Sequence, residues 1–325
     1  FQEAYGREID LEKGITKVRA LEMAGDQIRA MIIDGENTVV TDPDREHCEH
    51  ALRSLDFLVV CDLFMTETAE FADVVFPATG FAETDGTQTN TERRVQRLRR
   101  AVPPPGDAKP DWWILSQLGQ RMGFKGFEYE SAKEVFNELC SLSSTYKGIN
   151  WDKVEYGEYQ WPVPEEGHPG TPRLHEDGFI NGRGVFKLIR YRDPAETIDD
   201  DYPVWLTTGR RLESYHSRTQ TGRSQGIDYL LPEETLEVHP DDLKAWGVED
   251  GGWVEMSSRR GSVTIKVQGT ESSPRGTVFS SFSFNDVPVN ILTGAGYDPV
   301  TDTAELKVCP VRIEPRPNRG DVAAD

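Results

Sequence analysis

Hydroxyls, glycine and four arginines stand together in Leu206 to Arg223, LTTGRRLESYHSRTQTGR, in a chain whose formal net charge is −20. Such side chains suit a bound polyanion. Guanidinium forks supply charge and paired donors, hydroxyls supply neutral donors, and glycine admits close backbone approach. Three further positions carry related chemistry: Gly35-Glu36-Asn37, Asp62 with Thr66, and the turn after Phe76. Each is expected where a strand ends, and ligands of parallel sheets sit beyond the carboxyl ends of strands. Glycine lets backbone approach a phosphate there, and the helix N-termini that follow offer unpaired N–H groups. Asp62 or Asp111 could accept two hydrogen bonds, from the N1–H and the 2-amino group of a guanine. A helix cap is the alternative for each carboxylate, and for Asp111 it is the weightier one. Convergence of the three sites on one edge favours the ligand.

Other constellations point to structure. Arg93, Arg94, Arg97, Arg99 and Arg100 form either an anion-facing stripe or, with more weight, a set of pairs with neighbouring acids, each worth little if exposed. His47 and His50 are one helical turn apart and could share a metal, although a solvated helix face is the weightier reading. The four cysteines, Cys48, Cys61, Cys140 and Cys309, are far apart with no CxxC, which argues against a zinc or iron–sulfur site built from this chain alone. Disulfides are not expected.

The elements that must position these residues alternate in the first half. Gln27 to Ile33 reads as a strand, followed by a helix with Asp42 as N-cap and Pro43 at its first position. Cys48, Ala51, Leu52 and Leu55 give that helix one apolar face. Phe57 to Cys61 is a continuous apolar run, as in a strand covered on both sides. Thr66-Glu67-Thr68 opens a short helix, and Asp73 to Phe76 forms a third strand. That alternation predicts a parallel α/β sheet. Asp111 is expected to cap a helix packing Trp112, Leu115, Leu118 and Met122, with Gly123 as its stop. Ser131 and Glu134 form a capping box for a helix carrying Val135, Leu139 and Leu142. Residues 151–201, rich in proline and glycine, read as the connection between domains. Beyond Tyr202 short strands alternate apolar and polar residues, including a hairpin around Arg259-Arg260-Gly261, and predict a small β-barrel over 202–315. Residues 316–325 read as a polar, frayed tail.

At 325 residues with 37% hydrophobic content, the chain can bury a sizeable core. No apolar run approaches the roughly 18 residues of a membrane span. Acids are spread along the chain and Arg outnumbers Lys by 25 to 11, which suits either a halophilic source or an ordinary acidic cytosolic protein. Nucleic-acid binding, which requires a positive field, is disfavoured. The chain opens Phe1-Gln2-Glu3-Ala4, with neither initiator Met nor leader, and reads as a piece of a longer protein.

IIDGENTVVTDPD, FLVVCDLFMTETAEFADVVFPATGFAETDGTQTNTERRVQRLRRAV and KPDWWIL resemble the molybdopterin oxidoreductases of the dimethyl sulfoxide reductase family. Within it they are most similar to the catalytic subunit of formate dehydrogenases. LTTGR…YHSRTQTGRS, EVHPDDLKAWGVEDGGWVEMSSRRGSV and NILTGAGYDPVTDTAELKVCPVRIEP resemble that family's C-terminal molybdopterin-dinucleotide-binding barrel. The resemblance implies a partial α/β nucleotide-binding domain over 1–200, with its connection at about 151–201, and the barrel over 202–315. It also implies a molybdenum or tungsten ion held by two pterin guanine dinucleotides. Thr208, Gly209 and Arg210 would wrap one dinucleotide, with Tyr215, His216 and Ser217 following along it. Asn290 and Lys307 match further positions near the cofactor, and Gly35, Glu36, Asn37, Asp62 and Thr66 would serve the other dinucleotide. Asp111 joins this set as a candidate guanine acceptor. Where formate dehydrogenases often carry YHTGTMT, this chain has YHSRTQT, with bulkier Arg218 and Gln220.

By the same resemblance, the iron–sulfur domain, the Cys or selenocysteine metal ligand and the His and Arg that handle formate belong upstream of Phe1. No catalytic residue and no metal ligand is therefore expected in this chain. The implied reaction is formate oxidation to carbon dioxide, with electrons passed to iron–sulfur clusters. Nitrate reduction and a non-catalytic scaffold are the alternatives. The implied partners are the N-terminal part of the same subunit and electron-transfer subunits with iron–sulfur or flavin centres, in the cytoplasm. Neither nucleic acid nor membrane insertion is expected.

Overall fold

The computed structural model describes residues 1–317 except Arg7 and Ala295. In chain order the first elements are α1 (Gln2–Tyr5), α2 (Lys17–Glu22), β1 (Ala30–Asp34), α3 (Thr38–Thr41), α4 (Arg45–Ser54), β2 (Phe57–Asp62) and β3 (Val74–Pro77). The three strands make a parallel sheet in the order β1-β2-β3. Leu58 to Cys61 of β2 are buried without a break, as its uninterrupted apolar sequence requires. The predicted strand at Gln27 begins only at Ala30, because Gly25 and Ile28 close a turn before it. The predicted cap at Asp42 is also displaced. Thr38–Thr41 forms a separate helical turn that ends at Asp42, and α4 starts after Asp44, whose carboxylate accepts from the His47 N–H. Cys48, Ala51 and Leu52 of α4 are buried as expected.

Next come β4 (Gly86–Thr89), β5 (Arg94–Leu98), α5 (Asp111–Arg121), α6 (Ala132–Leu142), α7 (Trp151–Tyr156) and β6 (Tyr159–Gln160), with β4-β5-β6 forming a second sheet. Pro110, not Asp111, occupies the N-cap of α5, and Asp111 is its first helical residue. The apolar faces expected for α5 and α6 are not the buried ones. Leu115, Met122 and Leu139 are 42%, 65% and 48% exposed. α5 buries Ile114, Ser116 and Gly119 instead, with Gly119 set so close to the Phe127 ring that a Cβ would lie 2.8 Å from it. α6 carries a second apolar stripe, Phe136 and Cys140, which packs with Val95, Ile149, Trp151, Val154 and Val163. The region 151–201 therefore starts as core: α7, β6 and Val163 belong to this cluster or pack against it. Only the later part is irregular, and residues 172–193 are exposed without interruption.

The barrel is built from β7 (Val204–Gly209), β8 (Thr235–Val238), β9 (Trp253–Ser257), β10 (Ser262–Gly269), β11 (Thr277–Ser281) and β12 (Cys309–Arg316). Two short helices, α8 (Gln225–Leu230) and α9 (Pro240–Trp246), interrupt the strands. The closed order is β10-β8-β11-β7-β12-β9, so no strand presents an unpaired edge. Alternate residues of β7 point inward, Val204, Leu206 and Thr208, into a core that includes Leu236, Met256, Ile265 and Val311. β9 and β10 form the hairpin expected around Arg259-Arg260-Gly261, with Ser257 opposite Ser262. β12 runs to Arg316, paired with Trp253, and so takes in the first residue of the expected tail. The rest of that expected tail, from residue 318, lies outside the described residues. Two compact units divide the chain: 1–14, 61–63 and 75–190 form one, and 15–60, 64–74 and the chain from Tyr191 onward form the other.

Candidate dinucleotide-binding site

β7 sits between β11, parallel to it, and β12, antiparallel, and its end carries Thr208-Gly209-Arg210. Thr208 is buried. Its hydroxyl donates to the Leu306 carbonyl at 2.5 Å, and its own carbonyl accepts from Lys307 Nζ at 2.6 Å. Lys307 is therefore pinned at the strand end beside Arg210. Its pKa is lowered, first by burial and then by the charge of Arg210. A Cβ at Gly209 would lie 2.5 Å from the Phe279 ring, so the close approach of β7 to that ring requires glycine there.

The four arginines of the opening segment have separate fates. Arg211 is nearly buried and pairs with Glu234 at 2.9 Å and Glu237 at 2.7 Å. Glu234 in turn accepts from the Ser281 N–H and from both the Ser280 and Ser281 hydroxyls. Arg218 pairs with Asp228 and lies over the Phe284 ring, and Arg223 lies over Phe64. Arg210 is exposed, lies 5.5 Å from the Phe282 ring centroid, and has no acidic partner among the described residues. In a chain with 56 acids against 36 cations, such a cation is available to an external anion.

His216 follows in a left-handed backbone conformation, φ 50°, with its ring edge-on to Phe282 and its carbonyl accepting from the Ser283 hydroxyl. Burial, then the charge of Arg210, holds its imidazole below the usual range, while Glu36 pulls the other way. Arg210, His216 and Glu36, distant in sequence, are thus electrostatic neighbours. Tyr215 is exposed. Ser217 bonds Thr219 at 2.9 Å, and both line a cavity of about 180 Å³ with Thr66, Arg218, Arg223 and Ser283.

Gly35 adopts φ +66° with open space around its Cβ position, and turns the chain from β1 into α3. Glu36 pairs with Lys17, which also holds Asp42 at 2.5 Å. Burial works against the Lys17 charge, but Asp42 and Glu36 together raise its pKa. Asn37 is buried. Its amide oxygen accepts from the Thr68 N–H and hydroxyl, and its amide nitrogen donates to Glu67 at 2.6 Å. Thr66 caps the following turn by accepting from the Ala69 N–H. Asn290 donates to the carbonyls of Val40 and Thr41, the free end of α3. The residues expected to touch a ligand thus divide in two. Arg210 and Tyr215 are exposed, Ser217 lines the cavity and Glu36 is paired with Lys17, whereas the side chains of Asn37, Thr208 and Asn290 are bonded to neighbouring loops. α3 is a single turn, and Thr68 already accepts from its Val39 N–H, so little is left of the helix-terminus contribution expected there.

Asp62 and Asp111 fall in the other compact unit. Asp62 closes β2, with its carboxylate accepting from the Leu63 N–H at 2.6 Å. The arginine stretch lies in that unit too: Arg94 pairs with Glu92, Arg97 with Asp85 and Glu155, and Arg99 with Glu155. His47 and His50 are exposed on α4, and all four cysteines are buried and form no disulfide among the described residues. Lys17 is not singled out by the sequence, and Asp42, Glu67 and Thr68 read there only as helix starts. No local pattern marks the contacts they make, since each acts on a loop far along the chain.

No helix among the described residues is long and apolar enough to cross a membrane. Two families match the chain, Molybdopterin oxidoreductase over residues 2–121 and Molydopterin dinucleotide binding domain over residues 204–310. The alpha subunit of the F420-dependent formate dehydrogenase of Methanocaldococcus jannaschii is 43% identical over 317 residues, 97% of this chain and 47% of that protein. The assimilatory nitrate reductase catalytic subunit of Bacillus subtilis is 36% identical over 316 residues, 93% of this chain and 44% of that subunit. In fold, acetylene hydratase from Pelobacter acetylenicus matches with a TM-score of 0.72 at 18% identity, over 92% of this chain and 46% of that one. The chain spans about half the length of the relatives it matches. The first matched region covers the strand ends that carry Gly35 to Asn37 and Thr66, the second covers the barrel that carries Arg210, and the chain belongs to the molybdopterin oxidoreductase family.

Proposed function

We propose that this chain is the C-terminal, cofactor-holding part of the catalytic subunit of a formate dehydrogenase, with a molybdenum or tungsten bis(pterin guanine dinucleotide) group as its cofactor. In this reading residues 202–315 are the dinucleotide-binding barrel and residues 1–200 the end of the α/β domain. The observation that carries the proposal is Arg210, an exposed guanidinium without an acidic partner among the described residues, at the end of a barrel strand in a chain of net charge −20.

The residues present fit such a polyanion. Arg218 Nε and Thr38 Oγ1 are buried without a partner among the described residues, and the 180 Å³ cavity is lined by four hydroxyl side chains and two arginines, with Glu67, whose carboxylate accepts from Asn37, as its one acid. Arg210, His216 and the Ser217 hydroxyl would hold one dinucleotide, with Lys307 adding positive charge behind Arg210. Gly35, Glu36 and Thr66 would hold the other, on loops fixed by Asn37 and Asn290. When bound, the group supplies the two-electron chemistry that takes formate to carbon dioxide. The task of this chain is to bind it, orient it and set the local field. Iron–sulfur clusters, the metal ligand and the formate-handling residues would lie in the part of the subunit outside this chain. Electron-transfer subunits would complete a cytoplasmic enzyme.

The 36% identity to a nitrate reductase subunit supports a second reading, in which the same cradle serves nitrate reduction. Steady-state assays of the intact purified enzyme separate the two. Formate should reduce an artificial acceptor or F420, the acceptor named for the methanogen relative, whereas nitrate should not oxidise reduced viologen. Nitrate turnover without formate turnover would replace the first reading with the second. Neither activity, in an enzyme loaded with cofactor, would leave a scaffold.

A further inference from the structure

Residues Phe179 to Arg190, FINGRGVFKLIR, break the pattern of the chain. Ile180 is 96% exposed, Phe186 104%, Leu188 82% and Ile189 91%. Large apolar side chains so concentrated and so open to water mark a contact surface. In this acid-rich chain the stretch also holds three cations, Arg183, Lys187 and Arg190, and no acid. From Gly184 to Arg190 it lies outside any helix, strand or turn, and between Arg183 and Arg190 no backbone group bonds to another described residue. The preceding loop, His175 to Phe186, surrounds a hollow of about 780 Å³ that its own side chains leave unfilled.

We infer that Val185 to Arg190 is a docking strand that seats in the portion of the same catalytic subunit outside this chain. The inference rests on the functional reading above, in which more than half of the subunit lies elsewhere. Three observations select this occupant. The relatives that match nearly all of this chain are about twice its length, so the polypeptide has a large body available to cover the strand. Successive side chains of an extended segment point to opposite faces. Val185, Lys187 and Ile189 would then lie on one side and Phe186, Leu188 and Arg190 on the other, so both faces are mainly apolar with one cation each, which suits a strand covered on both faces by protein that pairs those cations. A segment lying on a lipid surface presents one apolar face and one polar face. Unbonded backbone with bulky apolar residues is also what strand addition to a sheet edge uses, and the three cations call for carboxylates at the rim of the groove.

The test uses the intact, cofactor-loaded enzyme. Hydrogen exchange at the amides of 185–190 should be slowed by about a hundredfold or more against unstructured chain. Phe186→p-benzoylphenylalanine, a substitution that keeps an apolar aromatic at the position, should on irradiation cross-link within the same polypeptide, to residues outside these 325. Unprotected amides would overturn the inference, as would cross-links to a second copy, to another subunit or to added anionic phospholipid vesicles. Formate and nitrate turnover measured on the same preparation keeps the two ideas separable. A protected strand in a nitrate-reducing enzyme retains the docking and removes formate, and an exposed strand in a formate-oxidising enzyme does the reverse.

Discussion

Arg210 and Arg211 are adjacent in sequence and opposite in role. The sequence placed a cluster of arginines at a strand end, but nothing local distinguishes the one that faces outward from the one that folds inward onto Glu234. That assignment depends on an acid more than twenty residues away and on the hydroxyls of Ser280 and Ser281, which only the closed barrel brings together. The difference has a measurable consequence. Arg211→Ala leaves Glu234 buried without its cation, and breaking a buried pair on one side costs about 3–5 kcal/mol, so the denaturant midpoint should fall sharply. Arg259→Ala removes surface pairs to Glu196 and Asp199, each worth about 0–1 kcal/mol, and should shift the midpoint little. Equal effects from the two substitutions would contradict the separation of roles.

Among the elements, the strands were the most legible. Leu58 to Cys61, the hairpin at Ser257–Ser262 and the alternation along β7 are written directly in apolar spacing. The helix faces of α5 and α6 were not, because burial there follows small residues. Ser116 and Gly119 carry no hydrophobic signal, yet both are buried, and Gly119 lets backbone approach Phe127. The polar latches were equally hidden. Asn37 reads as a loop residue with an amide to offer a ligand, whereas its amide is already bonded to Glu67 and Thr68. Asn37→Ala should therefore act by loosening the loop. Leaving buried partners unsatisfied costs about 1–3 kcal/mol each, and amide exchange should quicken at residues 66–71. Cofactor loss with those amides unchanged would show that Asn37 acts on the ligand itself.

At the scale of the molecule, the α/β class and the barrel were readable from the alternation of helices and short strands. The division into compact units was not, since 61–63 belong with 75–190 and 64–74 with the barrel. A proline- and glycine-rich stretch signals irregular backbone, but it says nothing about Trp151, Val154 and Val163 entering a core. The acid surplus acts at this scale too, because local ion pairs leave the net −20 in place. Salt screens such self-repulsion within about 3 Å at 1 M. The melting temperature of the intact subunit should therefore climb from low salt to molar potassium chloride. A flat response would mean that repulsion is not limiting.

The central claim is that the exposed end of β7 holds a dinucleotide, and Arg210 tests it most directly. Hydrogen bonds to a charged group contribute about 1.5–3 kcal/mol, which corresponds to roughly a tenfold to hundredfold change in retention at about 1.4 kcal/mol per decade. Lys keeps the charge but loses the fork, so Arg210→Lys should recover only part of what Arg210→Ala loses. The measurement is guanine nucleotide and molybdenum or tungsten content per mole of intact purified enzyme, taken beside its melting temperature. The account predicts that Arg210→Ala melts like the wild type and is depleted of nucleotide and metal. Full cofactor content in Arg210→Ala, or loss only where the barrel itself has unfolded, would contradict it.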